Sequence, residues 1–288
     1  MTDSIGKQHM PSVDVRNEAG PRFDPLGQRL EALAVETLPL VEAITRLPLP
    51  DPVVIRTMTV RNWMKEHRRS EKQRLLAETE ELDVPLHVVR QAALQSGGRR
   101  KARRRFWPTM GGQAVIFQPG RPELVLLPEA LRHGGRLDDT AYLYKALGHE
   151  MTHLAQYAAS DGALWTAQET FYPAQRGVAD RDFAFLLEGH AYWADQRITA
   201  KILGAPVSTD EAGPHATRRY RKLFASPHRQ AAVEQFRRAC DTVGQIIDSY
   251  GLDAFNQVWD HPDLAPTRAQ ASNDGAAWQT RFSPLTPQ

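Results

Sequence analysis

Apolar positions along the chain recur mostly at helical spacing, and only one short region alternates. Leu26, Leu30, Leu33, Leu40, Val41 and Ile44 place a helix between Pro25 and Leu47, with Pro39 expected to divide it in two. After the breaker Leu47-Pro-Leu-Pro-Asp-Pro52, a second helix is predicted from about Val60 to Leu82, with Trp63, Met64, His67, Leu75 and Leu76 on or near its inner face. Val84 to Leu94 is ambiguous between strand and helix, since Pro85 opens it and Val88-Val89 favour β structure. Residues 113–117 and 123–127, joined through Pro119-Gly120, predict a β-hairpin. Helices over about 140–159, 181–203 and 231–258 complete the pattern, the last broken at Gly251. The expected fold is α+β and predominantly helical, with a small β-hairpin or sheet.

Composition narrows this picture. Residues 1–24 hold too little apolar surface to offset their ordering and are expected to form a disordered tail. The remainder, 25–288, is expected to form one domain: an N-terminal lobe over 25–139, the metal-binding and C-terminal helices over 140–262, and an extended tail over 263–288. A formal charge of +2 supplies no global field for nucleic acid, and no nucleic-acid partner is expected. Six of the seven residues from Arg99 to Arg105 are basic. That run reads as a solvated loop or helix face, or else as a clamp for phosphate or an acidic partner. Cys240 is the only cysteine, which excludes an intrachain disulfide framework. With no apolar signal core and no stretch long enough to span a membrane, a cytoplasmic protein is expected.

The chemistry concentrates in Lys145-Ala-Leu-Gly-His-Glu-Met-Thr-His-Leu-Ala155. His149 and His153 are four residues apart, so on a helix they project from one face about a turn apart. Two imidazoles in that relation can grip one cation, with Zn²⁺ the usual occupant, and Glu150 would lean beside it as a general base. Apart from those three residues, Ala146 to Ala155 is uncharged, as a helix pushed into a core beneath a metal requires.

A catalytic zinc site needs a third protein ligand. The extended pattern with a third histidine fails, because Gln156 stands at its glycine and Ala159 at its histidine. Glu188, an acid in the middle of an apolar helical face, is the candidate ligand, since its burial is costly unless it is paired or metal-bound. Asp195, two turns further on, is placed to receive the free N–H of a ligating imidazole. His190 is the second choice as ligand, pointing away from Glu188 around the helix, and otherwise packs or touches substrate. Tyr157 and Tyr192 lie near the metal-facing side and can donate to a developing oxyanion, or can be ordinary core.

His149-Glu-Met-Thr-His-Leu-Ala-Gln-Tyr157 together with Glu188-Gly-His-Ala191 resembles the zincins with a glutamate third ligand. More narrowly it is similar to a bacterial family of zinc-dependent metalloproteases or hydrolases of the deazaflavin-cofactor-biosynthesis-associated type. The stretch from Gly251 to Trp259, Pro266-Thr267 and Trp278 fits the same resemblance. It implies an α-rich zincin-like fold, one Zn²⁺ on His149, His153 and Glu188, and Glu150 as base. The strands that precede the metal helix are expected to form the cleft rim, and a peptide or small amide is the substrate expected of a water-activating zinc site. Gly112-Gln113-Ala114-Val115 departs from the Gly-Gln-Tyr-Asp-like sequence expected before the hairpin, and the Arg-rich segment is also unusual. A non-catalytic, zinc-stabilised scaffold or binding protein is the alternative reading.

Overall fold

Strands β1 (Val13–Glu18), β2 (Val53–Met58), β3 (Gly112–Gln118) and β4 (Arg121–Leu126) form one mixed sheet in the spatial order β1-β2-β4-β3. The computed structural model describes residues 11–285 apart from Asp210 and Asp274. β1 and β2 pair in parallel, as do β2 and β4, while β3 and β4 form the antiparallel hairpin. Side chains alternate across the sheet with period two. Val53, Ile55, Ala114, Leu124 and Leu126 join the main core on one face, and Val115, Phe117 and Val125 join a smaller cluster with Met58 and Trp63 on the other.

Three sequence expectations need correction here. The tail expected to be disordered over 1–24 contributes β1, and only residues 1–10 of it lie outside the described residues. Its few apolar side chains, Val13 and Val15, pack against the main core, and its polar ones are paired: Glu18 with Arg56, and Asn17 with the Thr57 hydroxyl at 2.7 Å. Helix α1 (Asp24–Thr45) runs unbroken through Pro39. The carbonyl that loses its partner belongs to the exposed Val35, on the solvent side where water can replace the bond. The C-terminal segment from 263 is not extended: α11 (Arg268–Ser272) and α12 (Ala276–Gln279) fold back, and Trp278 and Phe282 are fully buried.

Helix α2 (Val60–Leu82) starts where Thr59 caps it, and α3 (Leu86–Phe106) resolves the ambiguous stretch as helix, with Pro85 at its N-cap. The basic run is therefore helical rather than a loop. After α4 (Pro128–His133) come α5 (Thr140–Ala159), the short α6 (Ala163–Glu169) and α7 (Phe183–Leu203). Then α8 (Arg218–Phe224), α9 (Pro227–Tyr250) and α10 (Leu252–Asn256) follow, with the break at Gly251. α7 is sandwiched between α5 and α9, and α1 packs across α5. One apolar core, with Leu30, Leu143, Leu147, Met151, Leu186, Ile198 and Val243 at its centre, joins these helices to the sheet. Gly189 permits a close approach, but to α9 rather than to α5: a Cβ there would sit 2.7 Å from the Ala239 carbonyl oxygen. The glycine at the α5–α7 seam is Gly148, against Ile198. Among the described residues no helix is long and apolar enough to cross a membrane.

Candidate metal centre

Asp139 ends the loop before α5 by accepting a hydrogen bond from the Tyr142 amide at 3.0 Å, which fixes where the helix begins. From that start, Lys145, His149 and His153 fall on one stripe at four-residue spacing. Glu188, Tyr192 and Asp195 form the facing stripe on α7, whose own start is capped by Asp182. The two stripes meet. His149 Nε2 lies 3.4 Å from one Glu188 carboxylate oxygen and His153 Nε2 3.7 Å from the other. One ligand atom from each of the three residues lies within 4.8 Å of the others. Donors bound tetrahedrally to one zinc are roughly 3.3 Å apart, so a small closure would seat a cation.

Each imidazole is held from behind. His149 Nδ1 donates to the fully buried Asp195 carboxylate at 3.0 Å, and that carboxylate also accepts from Lys145 Nζ at 2.5 Å. His153 Nδ1 pairs with Gln156 Oε1 at 2.8 Å, while the same amide donates to the Leu187 carbonyl at 2.9 Å and to His190 Nδ1 at 3.1 Å. Both Nδ1 atoms are thus engaged as donors, and both Nε2 atoms are turned toward Glu188. In the cation-free protein, burial alone would keep His149 neutral. The hydrogen bonds to Asp195 and Glu188 outweigh it and push the imidazole up to about 10. Glu188 moves the opposite way: burial raises it, but His149 and His153 outweigh that and hold it below its ordinary value. A proton therefore sits where a cation would, and binding the cation must expel it.

Glu150 is turned aside from this group, as its place in the motif requires. Its Oε2 accepts from the Ala114 amide on β3 at 2.7 Å. Burial raises its carboxyl above the ordinary range, opposed by the two histidines. The centre opens onto a cavity of about 300 Å³ walled by Gly112, Gln113 and Ala114 on one side and by Tyr142, Tyr192, Tyr220 and Arg229 on another. β3 is the edge of the sheet at this rim.

A solved structure shares this fold. A candidate hydrolase with a novel fold from Chloroflexus aurantiacus superposes with a TM-score of 0.61 at 18% identity, covering 92% of each chain. No family model matches the chain, and no curated protein matches it in sequence.

The other residues singled out from the sequence separate clearly. Tyr192 lines the cavity, its ring centroid 4.6 Å from that of His149, and burial followed by the Glu188 charge raises its phenol so that it stays a donor. Tyr157 lies outside the cavity lining, its ring against Gly162 and Trp165. His190 is fully buried on the far side of α7, among Trp193, Phe255 and Trp259. It can reach neither the cation position nor a substrate. Burial lowers it to about 3, so it stays neutral.

Sequence reasoning passed over Lys145, Gln156, Tyr142, Tyr220 and Arg229. Lys145 precedes His149 by four residues, and Gln156 follows His153 by three, so helical spacing alone placed both beside the ligands. Arg229 is different. It comes from the first turn of α9, and its Nε is buried without a hydrogen-bond partner among the described residues. Nothing in its local sequence points at the site.

Proposed function

We infer that the protein is a zinc-dependent hydrolase acting on a peptide or other amide bond, with a zincin-like pairing of the α5 motif and the α7 glutamate. The observation that carries this reading is the convergence of His149 Nε2, His153 Nε2 and Glu188 on one point, each imidazole oriented by a buried partner. Two imidazole nitrogens and a carboxylate form a donor set suited to Zn²⁺, and three ligands facing a cavity suit a catalytic rather than a closed structural site. The structural neighbour is itself described as a candidate hydrolase, which supports the reaction class.

Held by His149, His153 and Glu188, a zinc ion would supply a lowered pKa for water and polarisation of a carbonyl. Glu150 accepts the proton of the attacking water and returns it to the leaving nitrogen, its carboxylate kept in place by the Ala114 amide. Tyr192 and Arg229, both facing the cavity, supply donors for the oxyanion. Lys145 offsets the Asp195 charge, so that this buried carboxylate can hold His149 in its donor orientation. An extended substrate would run along β3, whose Ala114 amide is already committed to Glu150. The buried Cys240, raised to about 11 by desolvation, takes no part.

Glu150→Gln tests the assignment. Turnover of a broad amide-substrate panel should fall by about 10²–10⁴-fold while zinc content is kept. Undiminished activity would reject Glu150 as base, and a zinc-loaded wild type inert to the whole panel would favour the scaffold reading.

A further inference from the structure

Beside the metal centre lies a second cavity, of about 210 Å³, walled by α2, α3, β3 and the end of α6. The basic run of α3 divides here: Arg99 and Arg103, four residues apart, turn inward, while Arg100, Arg104 and Arg105 are exposed. Arg74 on α2 joins them. We propose that this cavity is a subsite for an anionic group of the substrate, a carboxylate or a phosphate.

Three guanidiniums face two carboxylates. Arg103 pairs with the buried Glu71 at 2.5 Å, and Arg74 pairs with Glu169. Arg99 has no carboxylate partner among the described residues; its Nη1 reaches only the Glu169 carbonyl at 3.3 Å, and its guanidinium lies over the Phe171 ring at 4.7 Å. His67 cannot redress the balance in either direction. Burial and then the Arg103 charge hold it at about 3, so it is neutral and pairs with the Gln113 amide oxygen at 3.2 Å. The cavity therefore carries one uncompensated positive charge.

It also holds an unused donor. Arg74 Nε is buried with no hydrogen-bond partner among the described residues, a cost that an anion accepting from it would remove. Planar guanidinium forks match a carboxylate or a phosphate, and the volume suits one such group rather than a polymer backbone. The two cavities share Gln113, Gln168 and Glu169 as a common wall. A substrate reaching across that wall would place its anionic group among the arginines and its scissile bond at the metal. Only this last step rests on the hydrolase reading; the anion site stands on its own residues.

The test uses full-length, metal-stripped protein, titrated calorimetrically with inorganic phosphate and with glutarate at constant ionic strength. One site per chain is expected. Arg99→Gln should weaken binding at least tenfold, and Arg100→Gln, an exposed neighbour, should leave it unchanged. The tighter of the two anions tells a phosphate subsite from a carboxylate one. Absence of binding by the wild type, or equal binding by Arg99→Gln, would overturn the proposal. Should Arg99→Gln not fold, the wild-type thermal midpoint decides: a rise with phosphate but not with chloride supports the site, and no rise rejects it. A protein that binds the anion but no zinc would sink the hydrolase reading and leave this site intact.

Discussion

The two sides of α7 treat a buried histidine in opposite ways. On the seam with α5, His149 is pushed up to about 10, whereas behind α7 His190 is held at about 3. Burial depresses both, so burial does not explain the difference. His149 faces the carboxylates of Asp195 and Glu188, while His190 faces aromatic rings and one neutral amide. The first environment stabilises positive charge. The second is packing. Gln156 touches both, its Oε1 accepting from His153 Nδ1 and its Nε2 donating to His190 Nδ1.

The comparison breaks most severely where one side loses charge balance. Asp195→Ala would leave Lys145 buried without its carboxylate, and is expected to cost about 3–5 kcal/mol of stability and to weaken zinc binding about 10–100-fold. Urea denaturation and a competitive zinc titration read the two effects. Phe255→Ala, on the packing side, should cost a similar ~3–5 kcal/mol through its cavity and leave zinc affinity unchanged. If Phe255→Ala altered zinc affinity as strongly as Asp195→Ala, the two sides would not be separate environments. Gln156→Ala should fall between them, at about 1–3 kcal/mol with about a tenfold loss of zinc affinity, because it frees one histidine on each side.

The two sides also differ in their response to pH. His67 and His190 both titrate near 3 in the folded chain and near 6.5 when unfolded. The unfolded state therefore binds more protons below pH 6.5, and stability should fall steadily from pH 6.5 toward pH 3. His149 acts in reverse in the metal-free protein: its contribution is present below pH 6.5 and is lost as pH rises through about 10. Denaturation curves of metal-free protein across pH 3 to 10 would show both limbs. A flat profile below pH 6.5 would contradict the neutral state of the buried pair.

The same contrast explains what the sequence could show. His149, Glu150, His153, Glu188 and Asp195 were readable because their relations run along single helices, at spacings of four and seven residues. β1 was not, because an alternating Val13-Asp-Val-Arg-Asn-Glu18 segment becomes a strand only when β2 offers it a parallel partner. Tyr157 and His190 were left open between site and packing because periodicity gives a face, whereas their surroundings come from α6 and from α7 and α10. Arg229 and the inward turn of Arg99 and Arg103 depend on how α9 and α3 pack, which local spacing does not encode.

The proposed function requires that His149, His153 and Glu188 bind one metal ion. Elemental analysis of purified protein, dialysed against chelator-free buffer after zinc loading, tests it directly when wild type is compared with His153→Ala. One zinc per chain is expected in the wild type and almost none in His153→Ala, with both proteins folded. A wild type that retains no zinc, or a His153→Ala protein that retains as much, would contradict it.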